Sequence, residues 1–485
     1  MTKQKQGVFK SFLEYFYGNF IVLLLGFISL PLITRLMSTD EYGRTSIFQS
    51  VVSIIYIFAI LGLDQGYIRY FYSEGVNKIK LFWQCVLPPF AIITVLSIGY
   101  FIGADFFNTL IFERTGLDIT LLVIGYCVIS VFERIVFLNI RMEQKGKLYS
   151  NLNVLSKVLY IAFIVIFVRI LGDDFRVVLY ALTLPLLIVT LGLMVRFLVK
   201  SSKDETRRTE TSLSEKELLR YSIPFIPMLL MEWLLTSMDK WSIKIFNGFS
   251  ETGVYAAAMQ IMVIISTIKI TFVAFWSPIA MEKYENESEE SCKAFFEDIF
   301  MKVQFLCMSI AFGLTIFRGI IVLILGEKYR EAIQIIPFLA LMPVLSLLFE
   351  MTGQGVKFTK KIKYFNYASA AAIVCNLVGN TLLVPIYKGI GAAIATGITY
   401  IVYFALGTYF SNKCYPVNYK IKIFVLSLIL YIGYAAFATV TNNQLLSACV
   451  GLVVFAINML LNLSTVKSLV QMALDMLGGL RKKNE

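Results

Sequence analysis

Residues 177–199 read VVLYALTLPLLIVTLGLMVRFLV, and the residues directly after them, 200–217, read KSSKDETRRTETSLSEKE. The first stretch is almost continuously apolar and long enough to cross a bilayer as one helix, whereas the second is polar and charged. Apolar stretches of this kind recur along the chain from Phe16 to Leu463, and 58% of all residues are apolar. The sequence therefore predicts an integral membrane protein built from α-helices.

About fourteen transmembrane helices are predicted when each span is given roughly 17 to 25 residues. The polar stretch 200–220 predicts a cytoplasmic linker between a lobe at 1–199 and a lobe at 221–410, each of six helices, around a central cavity. Residues 411–485 add two helices and a tail. The predicted spans are 11–34, 46–66, 81–103, 118–140, 152–171, 177–199, 221–246, 254–277, 299–325, 332–352, 364–384, 389–410, 421–440 and 444–463.

The distribution of positive charge orients the predicted bundle. With the N-terminus inside, 30 of the 44 lysines and arginines fall in inner segments and 10 in outer connections. Lysine and arginine are retained on the cytoplasmic side of membrane proteins, so both termini and the linker are predicted to be cytoplasmic. The bias extends over all inner segments. A count that is wrong by an odd number of spans is therefore disfavoured.

Composition excludes several classes of function. The net charge of +12 is spread over many loops next to the membrane, which favours contact with anionic lipid over binding of nucleic acid. The chain contains no histidine, which removes histidine-based triads, proton relays and metal sites. None of its seven cysteines forms a Cys-x-x-Cys pattern. We predict no metal site and no cofactor, and the outer connections are too short to carry the catalytic residues of a membrane-embedded glycosyltransferase.

A short repeat supports two related halves. The turn after the first span reads TDEYG at 39–43, and the turn after the seventh reads FSETG at 249–253, 210 residues later. Each places a glutamate where the dipole of the next helix favours a negative charge, and a glycine where the chain turns. Six spans separate the two copies, as in transporters with parallel repeats, although three matching residues also arise by chance.

Several segments together resemble the polysaccharide repeat-unit flippases, the Wzx type, of the multidrug/oligosaccharidyl-lipid/polysaccharide exporter superfamily. Their order and spacing carry the resemblance, which covers most of the first twelve spans. The principal segments are LPLITRLMSTDEYGRTSIFQS (30–50), LGLDQGYIRYF (61–71), YSIPFIPMLL (221–230), FSETGVYAAAMQI (249–261) and CNLVGNTLLVPIYKGIGAAIATGITY (375–400).

The resemblance implies a transporter rather than an enzyme, in a bacterial cytoplasmic membrane. Its implied substrate is an undecaprenyl-pyrophosphate-linked oligosaccharide, moved from the inner to the outer leaflet by alternating access between two lobes. Other polysaccharide assembly proteins are implied partners. Two nearer alternatives remain open, a drug or metabolite exporter of the same superfamily and a flippase for a peptidoglycan precursor. The sequence does not name the sugar.

Charged residues inside the predicted spans are candidates for transport, because each costs roughly 2.5–3.5 kcal/mol on insertion scales. We expect Lys269 to attract the diphosphate electrostatically, with Lys240 and Arg35 receiving it nearer the outer side. Arg318 is a further cationic candidate. The alternative for cations near helix ends is that they reach the interface and anchor the span.

Two carboxylates are predicted to respond to the coupling ion, H⁺ or Na⁺. Glu232 and Asp239 share one stripe of the seventh span with Thr236, above a bend at Pro224 and Pro227. The alternative is a static ion pair with a neighbouring lysine.

Asn376 and Asn380, one turn apart, are candidates for binding the cation or the sugar, although hydrogen bonding between helices is the commoner use of such residues.

Helix rise predicts the depth of the two central charges. Lys269 precedes Pro278 by nine residues and Glu232 follows Tyr221 by eleven, so each lies about 14 to 16 Å from the inner end of its span. Both are then expected near the midplane on adjacent helices. If they pair, the pair is structural or a coupling switch; if Lys269 is unpaired in the cavity, it binds the diphosphate. We favour the second arrangement.

Overall fold

The computed structural model describes residues 3–202 and 213–484. Side chains are described at 17–199 and 213–475, apart from Thr271, Ala274 and Ala473. Every regular element within these ranges is helical. Residues 203–212 of the predicted linker lie outside the described part of the chain.

Two compact units divide the chain between Trp241 and Ser242. The second unit begins 21 residues after the start of the second predicted lobe, and the lobe boundaries stay a prediction. Helices of the first unit are α1 (Lys3–Leu36), α2 (Thr39–Ile60), α3 (Leu63–Tyr70), α4 (Lys78–Ile102), α5 (Ala104–Phe112), α6 (Leu117–Met142), α7 (Gly146–Leu171), α8 (Arg176–Ser202) and α9 (Glu215–Ser222), followed by a 3₁₀ turn at Ile223–Phe225.

Helix α10 (Ile226–Asn286) begins in the first unit and continues into the second. The remaining helices are α11 (Glu289–Ile316), α12 (Arg318–Leu323), α13 (Ala332–Leu339), α14 (Leu341–Thr352), α15 (Gln354–Phe358), α16 (Lys363–Cys414), α17 (Ile421–Val440), α18 (Gln444–Leu461) and α19 (Leu463–Asn484), with a 3₁₀ turn at Glu327–Tyr329.

Two helices are long enough to hold two spans each. Twelve helical segments in the described ranges are apolar and long enough to cross a membrane. Two of these contain a residue with non-helical backbone angles, Gly248 in α10 (φ 84°) and Lys388 in α16 (φ 52°), where the chain bends. Counting both arms of α10 and of α16 gives fourteen spans. The predicted all-α membrane fold with about fourteen helices is confirmed.

The segment LGLDQG, quoted above for its resemblance, forms a close contact between α3 and α9. Leu61 and Gly62 both have positive φ, so α2 ends and α3 begins in a new direction. A Cβ added to Gly62 would lie 2.3 Å from the backbone oxygen of Ser222, and one added to Gly66 would lie 2.4 Å from its hydroxyl. The two glycines therefore allow α9 to pack directly on α3.

The repeated glutamates make equivalent contacts in their own units. Glu41 accepts a 2.9 Å hydrogen bond from the backbone N–H of Phe175, in the turn between α7 and α8. Glu251 forms a 3.0 Å ion pair with Lys388, in the bend of α16. Both turns join the fifth and sixth spans of their half, so each glutamate connects the second span to that turn. Arg44 and Arg114 also pair with Glu41, which is 5% exposed.

Candidate functional site

Three charged side chains meet in the second unit. The ammonium group of Lys269, on α10, lies 3.3 Å from one carboxylate oxygen of Glu350, on α14. The ammonium group of Lys357, on α15, lies 3.1 Å from the other. Glu350 was not among the residues expected from the sequence to carry function. We call Lys269, Glu350 and Lys357 the lysine cluster.

Helix rise gives the positions of the lysine cluster along its helices. Lys269 follows the bend at Gly248 by 21 residues, about 32 Å along α10, and Glu350 follows the start of α13 by 18 residues, about 27 Å. The expectation that Lys269 is unpaired is wrong, because Glu350 forms an ion pair with it. The depth of Lys269 near the midplane and its role in binding stay predictions.

The lysine cluster is suited to an anionic ligand. Two ammonium groups share one carboxylate, so the three side chains carry one excess positive charge. Each side chain is about a fifth to a third exposed, so a ligand has access to the charges. A diphosphate carries more charge than one carboxylate and accepts several charge-assisted hydrogen bonds, so it can compete with Glu350 for the lysines.

The predicted ion-responsive residues lie on the first arm of α10. Glu232 and Thr236 are exposed, whereas Asp239 is fully buried and Lys240 is partly buried. The Thr236 hydroxyl donates to the backbone oxygen of Glu232 at 3.0 Å.

The same arm of α10 is fixed to α2 by two indole groups. Trp233 donates to the backbone oxygen of Ser50 and Trp241 to its hydroxyl, both at 2.9 Å. One face of the arm is thereby held within the first unit, while Glu232 remains accessible.

Asn376 and Asn380 lie in a buried polar region of the second unit. The Asn380 amide donates to the backbone oxygen and to the side-chain oxygen of Asn376, both at 3.0 Å. A Cβ added to Gly379, the neighbour of Asn380, would lie 2.9 Å from the Cβ of Ala395, so the two arms of α16 touch here. Beside Ala395, Thr396 lies 3.5 Å from the Tyr255 hydroxyl. Amide and hydroxyl oxygens are ligands that hard cations accept.

The remaining predicted cations have different surroundings. Arg318 is 1% exposed, and its Nε donates to Gln444 at 3.2 Å, so it holds the connection between α17 and α18. Burial lowers the pKa of the Arg318 guanidinium from its usual value. Arg35 is exposed near the end of α1. The structure therefore groups Lys269 with Glu350 and Lys357, and Arg318 with Gln444.

An ion pair in the first unit was also not expected. Asp64, 3% exposed on α3, accepts from the Arg134 guanidinium on α6 at 2.7 Å and 3.2 Å. Their partnership had no sequence signal, because 70 residues separate them.

A family model for polysaccharide biosynthesis proteins matches residues 8–283. The chain belongs to the polysaccharide biosynthesis protein family. The match includes residues 8–241 of the first unit and α10 as far as Lys283, and therefore Glu232, Asp239 and Lys269. Glu350 and Lys357 lie beyond it.

A relative of this polysaccharide biosynthesis protein is Agl15 of Haloferax volcanii, described as a probable low-salt glycan biosynthesis flippase. The two are 21% identical over 425 residues, which is 85% of each chain.

Two solved transporters share the fold of this polysaccharide biosynthesis protein. One is the lipid II flippase MurJ in an inward closed conformation, with a TM-score of 0.65, 16% identity and coverage of 92% of this chain and 97% of MurJ. The other is an inward-facing multidrug resistance transporter of the MATE family, with a TM-score of 0.59, 15% identity and coverage of 81% of this chain and 97% of the other. At these identities the likeness concerns the fold.

Proposed function

We propose that this protein is a flippase for a lipid-linked oligosaccharide. Its substrate is an undecaprenyl-pyrophosphate-linked repeat unit, which it moves from the inner to the outer leaflet of a bacterial cytoplasmic membrane by alternating access. The lipid tail stays in the bilayer while the polar head crosses. Both termini and the linker are cytoplasmic in this proposal, and membrane lipids and other polysaccharide assembly proteins are its partners.

The lysine cluster is the observation that carries this proposal. A transporter for neutral or cationic drugs gains nothing from two lysines around one carboxylate, whereas a diphosphate needs a positive site that is only partly neutralised. The cluster belongs to a chain of the polysaccharide biosynthesis family, and Agl15 is described as a glycan flippase. These findings together favour a lipid-linked glycan over a drug.

Deletion of the gene tests the proposed function. We expect surface polysaccharide to be lost and lipid-linked repeat units to accumulate in the inner leaflet, because their synthesis continues while their exit stops. Extracted lipids and surface polymer are measured in the deletion strain and after complementation. A deletion that changed only drug resistance would establish the exporter, and one that stopped cell-wall synthesis would establish the peptidoglycan-precursor flippase.

We further propose that transport is coupled to H⁺ or Na⁺ through Glu232 and Asp239, with Asn376 and Asn380 as further candidate ligands. Exposure of Glu232 gives an ion access to one carboxylate, and burial of Asp239 makes its charge costly unless it is compensated. The buried amides offer oxygen ligands without adding charge.

Asp239→Asn is expected to remove the dependence of transport on the ion gradient. A neutral amide keeps the shape of the side chain but neither takes up a proton nor neutralises a cation. Transport into vesicles is measured with imposed Na⁺ and H⁺ gradients, with Asp40→Asn as a control at an exposed carboxylate. Unchanged gradient dependence in Asp239→Asn and in Glu232→Gln would refute the assignment of coupling to these residues.

A further inference from the structure

Lys157 is a lysine in the middle of a membrane span. It lies on α7, an unbroken helix from Gly146 to Leu171. Helix rise puts it about 17 Å from the beginning and about 21 Å from the end of α7. Both distances exceed the reach of a four-carbon side chain, so the ammonium group does not extend to either end of α7. The predicted span 152–171 includes Lys157, although the charge count above places it with the inner segments.

The side chain of Lys157 is directed away from the lipid-facing stripe of α7. That stripe is apolar and exposed, and it includes Leu155, Val158, Ile166 and Ile170. Lys157 shares the other face with Ile164, seven residues later, which is fully buried. Because α7 packs against α1 and α8, this face lies toward the interior of the first unit. Lys157 itself is only partly buried, so its side chain remains accessible to a ligand.

The charge of Lys157 is stabilised by an aromatic ring rather than by a carboxylate. Its ammonium group lies 4.5 Å from the centroid of the Tyr160 ring, one turn further along α7. Among the described residues no carboxylate forms an ion pair with it. A cation–π contact holds the ammonium in place but leaves its charge without a counterion. A charge at this depth is costly and is rarely present without a functional role.

We propose that Lys157 binds the diphosphate of the lipid-linked substrate as it crosses the membrane. This inference rests on the proposed function and adds a binding residue in the first unit to the lysine cluster of the second. A lysine ammonium is a compact charge that pairs readily with phosphate oxygens. The diphosphate supplies the counterion of Lys157 only while the substrate is bound. The Tyr160 ring orients the ammonium group while no substrate is bound.

Binding of diphosphates to the full-length protein in nanodiscs of zwitterionic lipid tests this proposal. The probes are farnesyl diphosphate, which has a lipid tail, and inorganic pyrophosphate, which has none. We expect Lys157→Met to weaken binding of farnesyl diphosphate about tenfold and Lys157→Arg to keep it within about threefold, because arginine retains the charge. Arg169→Gln, which removes a cation from the exposed end of the same helix, is expected to leave binding unchanged.

The outcomes separate this inference from the proposed function. If wild-type protein binds farnesyl diphosphate and Lys157→Met binds it equally well, Lys157 has no role and the proposed function stands. If wild-type protein binds neither probe, both the diphosphate substrate and the role of Lys157 are refuted. A loss confined to pyrophosphate would assign Lys157 to a soluble diphosphate instead. Lys157→Gln provides a second neutral variant, and melting curves confirm that each variant is folded.

Discussion

Substituting Lys269 by glutamine is expected to reduce transport at least about a hundredfold while leaving the amount of protein in the membrane unchanged. The substitution removes the positive charge that pairs with Glu350, so Glu350 and Lys357 remain as a neutral pair. A neutral pair no longer attracts a diphosphate. Lys269→Arg is expected to retain part of the activity, since it keeps the charge. Flipping of a lipid-linked diphosphate in proteoliposomes measures the effect.

Glu350→Gln provides the opposite test of the lysine cluster. It leaves two lysines without their shared counterion, so we expect tighter binding of a diphosphate, slower release and a smaller loss of transport than in Lys269→Gln. Lys302→Gln breaks an ion pair of 2.6 Å with Asp298 on α11 and serves as the control for loss of a lysine outside the cluster. If the double substitution Lys269→Gln with Glu350→Gln restores full transport, the pair is structural and Lys269 is not a binding residue.

Gly62→Ala is expected to destabilise the protein strongly. A left-handed backbone costs a residue with a Cβ about 1–2 kcal/mol, and Gly62 has φ +69°. The new methyl group would also lie 2.3 Å from the backbone oxygen of Ser222, so α9 has to move away from α3. The loss of this contact adds to the backbone cost, because Leu218 and Ser222 are buried against α3. The melting temperature of the purified protein measures the combined loss of stability from the backbone cost and the lost contact.

Gly192→Ala is the matched control for Gly62→Ala. Gly192 lies within α8, and a Cβ added there meets no atom within 4 Å. Alanine is a better helix former than glycine, so the melting temperature is expected to stay the same or to rise slightly. Equal melting temperatures for Gly62→Ala and the wild-type protein would show that α9 is not packed on α3 as described.

The number and type of the helices were readable from the sequence because each span obeys a local rule. A helix needs about twenty apolar residues to cross the hydrocarbon core, whichever helices surround it. The ends of several helices were less accurate. The predicted spans 221–246 and 254–277 correspond to the two arms of α10, which meet at the non-helical Gly248, but the second arm continues to Asn286. The bend at Gly248 and the polar end of α10 lie outside apolar runs, so hydropathy does not predict where they occur.

The candidate site was only partly readable. Lys269 was identified because a lysine inside an apolar run is conspicuous in the sequence itself. Glu350 also follows an apolar run. It was not predicted to carry function, because it lies near the predicted end of its span. Lys157 lies near the other end of its predicted span, 152–171, and was counted with the inner segments. Position along a span alone does not reveal which end-located charges turn toward the protein interior.

The sequence by itself determined that this protein is a bundle of about fourteen membrane helices, because the hydrophobic effect acts on each apolar run independently of the others. It also identified the related glutamates at 41 and 251, since their local motif is repeated. Only the tertiary structure decided which charges are neighbours. Glu350 meets Lys269 across 81 residues, and Arg134 meets Asp64 across 70, because helices distant in the chain pack side by side. Such pairs depend on the relative rotation of packed helices, which no single span encodes.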